Sequence, residues 1–294
     1  MTADAQIFSP ARRAAARDRA ARGRNGGGAE NLLHRRMADD LIDRLGDVTR
    51  VFTDCLLLGC PDAQADDSLA IALRARGMRV LCADPGFANA QAAARGGPAA
   101  QVDEDALPFA DDSFDLIIAC GTLDSVNDLP GALILLRRAL RPDGLLLGAF
   151  PGAGSLTTLR RVLLEGDGNR PAQRVHPLVD VRAMGDLLAR AGLALPVVDT
   201  DQVTIRYGNL FTLIADLRAA GATNMLASAP PPLTRQSLTR AAQAFAARAE
   251  PDGKTAESVS IIHLSAWKPD ASQPKPARRG SGTTSLAAAL KGKG

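Results

Sequence analysis

The chain is 294 residues long and 46% hydrophobic, enough for one large domain or a domain with insertions, and no apolar run reaches the roughly 20 residues that span a bilayer. Its 35 basic and 32 acidic residues leave a net charge of +3, too balanced for a chain-wide polyanion partner. Aromatics at 3% leave the packing to Leu, Val, Ile and Ala and provide few rings for base stacking, so nucleic acid is not an expected partner.

The N-terminal stretch carries Arg12, Arg13, Arg17, Arg19, Arg22 and Arg24 against Asp4 and Asp18, on an alanine-rich background that favours helix. Residues 1–28 are expected to form a basic flexible arm that ends in a Gly26-Gly27-Gly28 hinge and adds little to folding. Three readings of it stand: an Arg-rich transit peptide, an arm for an acidic partner or a membrane surface, and a solvated helix. It lacks the apolar segment of a secretory signal.

Residues 29–267 read as one domain. Apolar residues at Leu32, Leu33, Met37, Leu41, Ile42 and Leu45 have a helical period. Short buried strands are expected over 55–58, 79–83, 99–102, 114–119 and 145–150, with helices over 68–76, 87–95 and 129–140 between them. This alternation predicts an α/β fold, a doubly wound and mostly parallel seven-strand sheet, with its cofactor half over about 50–150. Over 151–267 helical insertions follow at 155–164, 181–191, 210–220 and 234–249, with a strand pair over 193–207 and a last strand over 259–267. Residues 268–294 form a Pro-, Ser- and Lys/Arg-rich tail in which 286–290 has the pattern of a short helix.

The candidate ligand residues lie where these strands end, because open α/β sheets bind ligands at their carboxyl edge. Gly59 follows the first strand and lets a ligand approach the backbone. Asp84 closes the second, where an acid accepts ribose hydroxyls; the alternative is a turn before Pro85-Gly86. Asp103 is a candidate for an adenine amino group or a solvated loop acid. Cys120 ends the fourth strand, as a crevice residue or a small buried hydrophobe. Asp124 is the only other ionisable group just beyond it, a base or cation-binding residue suited to a guanidinium acceptor; the alternative is helix capping, for which Asn127 and Asp128 are better placed. His176 reads as a loop histidine or a crevice residue, and Arg206 and Tyr207 as substrate-facing or as a core or surface pair. His34, His176 and His263 lie far apart and no Cys-x-x-Cys occurs, so no metal site is expected. Cys55, Cys60, Cys82 and Cys120 read as reduced core thiols in a cytoplasmic protein.

Leu107-Pro108-Phe109, Phe114-Asp115 and Arg141-Pro142-Asp143-Gly144, in that order, resemble the second half of class I S-adenosylmethionine (SAM)-dependent methyltransferases. Leu123 to Leu133, Val203 to Tyr207, Asp216-Leu217-Arg218-Ala219-Ala220-Gly221-Ala222-Thr223-Asn224 and Trp267-Lys268-Pro269 are most similar to the branch of methyltransferase-fold respiratory complex I assembly factors and their bacterial relatives. Malonyl-carrier-protein methyltransferases resemble mainly the first half. The resemblance implies SAM held by Gly59, Asp84, Asp103 and Cys120, with an acceptor, protein among the candidates, at Asp124. It equally implies a non-methylating assembly factor, linked to arginine hydroxylation, with a respiratory-complex subunit as partner, or a scaffold without turnover. The family's acid before the loop is Leu57 here, and its glycines read Gly59, Pro61 and Ala63. Pro61 removes a donor and Ala63 adds a Cβ, so SAM binding is expected to be weak. Asp62 and Asp66 are candidates to replace the lost acid, and the relatives' His-Trp pair is Asp124-Ser125.

Overall fold

The computed structural model describes residues 6–25, 32–60 and 69–274. Two helices, α1 (Pro10–Asn25) and α2 (Leu32–Gly46), precede an alternating series: β1 (Asp54–Leu58), α3 (Leu69–Ala75), β2 (Arg79–Asp84), α4 (Phe87–Ala93), β3 (Ala99–Gln101), β4 (Phe114–Cys120), α5 (Leu129–Ala139) and β5 (Leu140–Pro151). The second half adds α6 (Thr157–Asp167), α7 (Val181–Arg190), β6 (Ala194–Tyr207), α8 (Leu210–Ala219), α9 (Arg235–Ala246) and β7 (Thr255–Trp267). The seven strands form one sheet in the order β3-β2-β1-β4-β5-β7-β6. The first five are parallel, and β7 runs antiparallel between β5 and β6.

The central strands are continuous apolar runs because both faces of the sheet are covered. All seven residues of β4 are buried, and Leu56 and Leu57 of β1 sit opposite its Ile117 and Ile118. One face packs under α2 and α3 through Leu41, Leu45 and Leu73. The other packs under α5 and α7 through Leu133, Leu136, Met184 and Leu188. A third cluster joins α6, α8 and α9 around Phe245. The doubly wound reading therefore holds. The expected strand pair over 193–207 is instead one long strand, β6, whose alternating exposure marks it as a sheet edge. Its Val-Asp-Thr alternation is that of a half-buried strand and contains no turn.

Asp115 at the entrance to β4 is a tie between strands. Its carboxylate accepts from Thr53 N (2.9 Å), Thr53 Oγ1 (2.7 Å) and Asp54 N (2.9 Å), which fixes where β1 begins beside β4. Asp115→Ala leaves two backbone N–H groups without this acceptor and is expected to cost about 3 kcal/mol. Urea unfolding checks this; a loss under about 1 kcal/mol contradicts the role.

Candidate functional site

The carboxyl ends of β1, β2 and β4 meet at a crevice. Asp84 ends β2 and is fully buried. Its carboxylate accepts from Gly86 N (2.8 Å), Cys60 N (3.2 Å) and Asn89 Nδ2 (3.2 Å). Beside it Gly59 has φ +78°, and its N–H bonds Ala83 O at 2.9 Å. A Cβ on Gly59 would lie 2.1 Å from Cys120 O, so the turn after β1 requires glycine on both backbone and steric grounds. Pro61, Ala63, Asp62 and Asp66 lie outside the described residues.

Two arginines of α1 complete the crevice. Arg17 donates Nε to Asp84 Oδ1 (2.8 Å) and Nη2 to Oδ2 (2.7 Å), a bidentate pair, while its Nη1 reaches Gly121 O (3.1 Å). One turn earlier, Arg13 donates Nη1 to Glu104 Oε2 (2.6 Å), Nη2 to Thr122 O (2.8 Å) and Nε to Ser125 Oγ (3.0 Å). Both arginines are buried, as are Ala16, Ala20 and Ala21, whose small side chains let α1 lie close to the domain. Asp18 caps the start of α4 by accepting from Ala88 N at 2.8 Å. Before α1, Phe8 N donates to Asn127 Oδ1 (2.8 Å), and Asn127 Nδ2 returns a bond to Phe8 O (3.1 Å).

The expectation of a flexible arm is therefore corrected for residues 6–25, which are packed structure. Charge suggested solvation, but the arginines at positions 13 and 17 lie on one helix face with buried carboxylates opposite. Glu104 was also missed, since nothing in an acidic loop singles out its one fully buried carboxylate. The Gly26 to Gly28 hinge is outside the described residues, as is the 286–290 segment of the tail.

Burial alone would raise the Asp84 carboxyl, but Arg17, Gly86 N–H and Asn89 outweigh it and hold it below the usual carboxylate range. Asp103 lies 3.6 Å from the Arg13 guanidinium and caps the short turn Glu104–Ala106 by accepting from Asp105 N. The capping bond is a local structural role that the sequence did not indicate. Cys120 is corrected: its side chain is fully buried in the core beneath α2, so the residue meets the crevice only through its carbonyl. Cys55, Cys60 and Cys82 are buried free thiols as well.

Asp124 lines a cavity of about 50 Å³ together with Arg17, His34, Met37, Ser125 and Met225. Sequence distance hid His34, which α2 brings to the same cavity. The capping alternative for Asp124 is not needed, because Asp128 caps α5 by accepting from Gly131 N. Elsewhere, His176 packs edge-on against Phe8. Tyr207 is buried, and Arg206 pairs with Asp252 and Glu250 at the surface, which settles that pair as core and surface. Burial and the nearby Asp216 carboxylate push the Tyr207 hydroxyl up.

A family model described as a methyltransferase domain matches residues 30–196, more than half of the chain. The chain belongs to this methyltransferase family. It is 30% identical over 262 residues to a Danio rerio protein named arginine-hydroxylase NDUFAF5, mitochondrial, covering 87% of this chain and 81% of the relative. A Xylella fastidiosa malonyl-[acyl-carrier protein] O-methyltransferase is 33% identical over 248 residues, covering 82% and 81%. The methyltransferase fold is matched by the YcgJ protein of Bacillus subtilis, with a TM-score of 0.56 at 16% identity, over 79% of this chain and 98% of that one. Methyltransferases of this class use SAM, and two observations bear on whether it fits. The buried atoms Glu104 Oε1 and Thr122 Oγ1 have no hydrogen-bond partner among the described residues, so the crevice retains unused polar capacity. The Asp84 carboxylate is saturated, because five donors fill its acceptor positions. Asp84, Glu104 and Thr122 have the chemistry to hold a nucleoside, and Arg17 occupies both oxygens of Asp84.

Arg17→Ala leaves a fully buried carboxylate without its counter-charge and is expected to cost about 3–5 kcal/mol at pH 7. The folded carboxyl sits below its unfolded value, so this stabilisation is present above the unfolded pKa and is lost as pH falls through the depressed one. In the variant, burial is opposed only by the remaining donors, Gly86 N–H and Asn89 among them, so the carboxyl rises. Denaturant unfolding is expected to show the gap between wild type and variant at pH 7 narrowing toward pH 4; a constant gap contradicts an electrostatic origin.

Proposed function

We propose that this chain is a SAM-dependent methyltransferase with a protein acceptor. The observation that carries the reading is the Asp84 carboxylate at the end of β2, held by backbone and Asn89 donors next to the obligatory glycine turn at Gly59. SAM supplies a methyl group on a sulfonium centre. Asp84 would hold the ribose hydroxyls, Asp103 and Glu104 the adenine side, and the Gly59 backbone the space between. Methyl transfer depends mainly on holding the two reacting groups in line, so it makes few demands on proton-transfer groups. Asp124 and His34 face the same small cavity and would receive the acceptor. A carboxylate there suits a cationic acceptor such as a protein arginine, which it holds in bidentate fashion.

A second reading follows the relative named arginine-hydroxylase: a non-methylating assembly factor that binds a respiratory-complex subunit. It is favoured by the crevice's own contents, two guanidinium groups seated on Asp84 and Glu104. No helix among the described residues is long and apolar enough to cross a membrane. A cytoplasmic protein with peripheral membrane contact through the exposed Arg12, Arg19 and Arg22 accords with either reading.

SAM at 100 times its dissociation constant is expected to stabilise the fold by about 2.7 kcal/mol, read as a rise in melting temperature. No rise at millimolar SAM in the wild type and in Arg17→Gln alike would overturn the methyltransferase reading and leave the assembly factor. Asp124→Asn is expected to reduce methyl transfer at least tenfold while SAM affinity is unchanged. Unchanged turnover would remove Asp124 from the acceptor site.

A further inference from the structure

We infer that α1 is an internal competitor for the nucleoside cofactor: Arg17 occupies the carboxylate that the ribose needs, so SAM binding and docked α1 exclude one another. This rests on the methyltransferase reading and adds a step to it. Asp84 accepts from five donors, two of them from Arg17 at 2.8 and 2.7 Å, and a carboxylate has about four acceptor positions. Cys60 N, Gly86 N and Asn89 Nδ2 belong to the β1 turn, the β2–α4 connection and the first turn of α4, so they shape the site itself. Only the guanidinium is delivered from outside the sheet and its first turns. A ribose diol requires both carboxylate oxygens, and each already carries an Arg17 bond.

The exclusion extends along the helix. Arg13 closes the neighbouring part of the crevice by bonding Glu104, Thr122 O and Ser125 together. Arg13 and Arg17 are four residues apart and leave as a pair when α1 lifts. The Ala20 face of α1 rests on Gly221, where a Cβ would lie 3.7 Å from Ala20 Cβ and 3.4 Å from Arg17 Cα. That contact holds the Arg17 turn against the 220–226 segment, which also lines the cavity with Asp124. Undocking α1 therefore frees the ribose acid and opens the acceptor side in one movement. The apparent cofactor affinity equals the intrinsic affinity multiplied by the undocked fraction. Anything that draws the basic helix away, such as an acidic surface, raises it.

The Ala20–Gly221 contact provides the test. The 3.7 Å separation suits a disulfide, whose Cβ atoms lie about 3.5–4.5 Å apart, and the four native cysteines are buried. Ala20→Cys/Gly221→Cys in the full chain is titrated calorimetrically with S-adenosylhomocysteine, oxidised and then reduced. Strain from a cysteine at the positive φ of position 221 is common to both states. The reduced form is expected to bind, and the oxidised form at least tenfold more weakly. Equal affinities in the two forms would overturn the competition and leave the methyltransferase reading standing. Absence of binding to the wild type, the reduced form and Arg17→Gln alike overturns the cofactor reading, and the competition with it. Arg17→Gln, titrated in its folded fraction, is expected to bind at least tenfold more tightly than wild type; an affinity no tighter than wild type contradicts the proposal independently of the lock.

Discussion

A carboxylate with no exposure to water is stable in a protein only when charge and hydrogen bonds are brought to it, and Asp84 is such a group. The strand order places it at the end of β2, beside the turn after β1 and the start of α4. Backbone and Asn89 donors satisfy part of its need, and the remainder comes from a residue 67 positions earlier in the chain. That demand fixes the position of α1, since Arg17 reaches Asp84 only if the helix lies across the crevice. Arg13, Asp18 and the Phe8–Asn127 bonds then follow in register. The ion pair and these bonds together make residues 6–25 part of the domain.

The sheet was legible because buried parallel strands must be apolar throughout, and Leu56 to Leu58, Val80 to Ala83, Leu116 to Ala119 and Leu145 to Phe150 are. The crevice was legible in outline, because the end of a parallel strand is a geometric consequence of that reading. Gly59 and Asp84 therefore fell where expected. Cys120 was misplaced because the last residue of a strand can point into the core while its carbonyl faces the ligand edge. Periodicity and strand ends did not report what crosses the crevice. The buried face of α1 is alanine and arginine, which in a sequence looks like a solvated helix. His34 and Asp124 share a cavity only through the packing of α2, which leaves no local trace.

The relatives differ in chemistry, one named for arginine hydroxylation and one for methylating a malonyl-carrier protein, while the scaffold is common. A fold of this kind fixes the ligand edge and leaves the reaction to the residues placed there. In this chain those residues are acids with guanidinium groups on them. Asp84 and Glu104 each carry a guanidinium group from α1, so the edge the fold reserves for a ligand is occupied by the chain's own helix.

The position of β7 has a consequence for how the chain is made. The last strand lies between β5 and β6, so the sheet order cannot be completed until residue 267 has been synthesised. Until then β6, fourteen residues of extended chain, has no partner on the side that β7 will occupy, and β5 keeps an open edge. Exposed strand edges of that length invite pairing with other chains. Residues 152–254 lie between the end of β5 and the start of β7; on the ribosome they are a waiting time. A nascent chain that ends before position 255 lacks β7 and so leaves both of these edges unpaired.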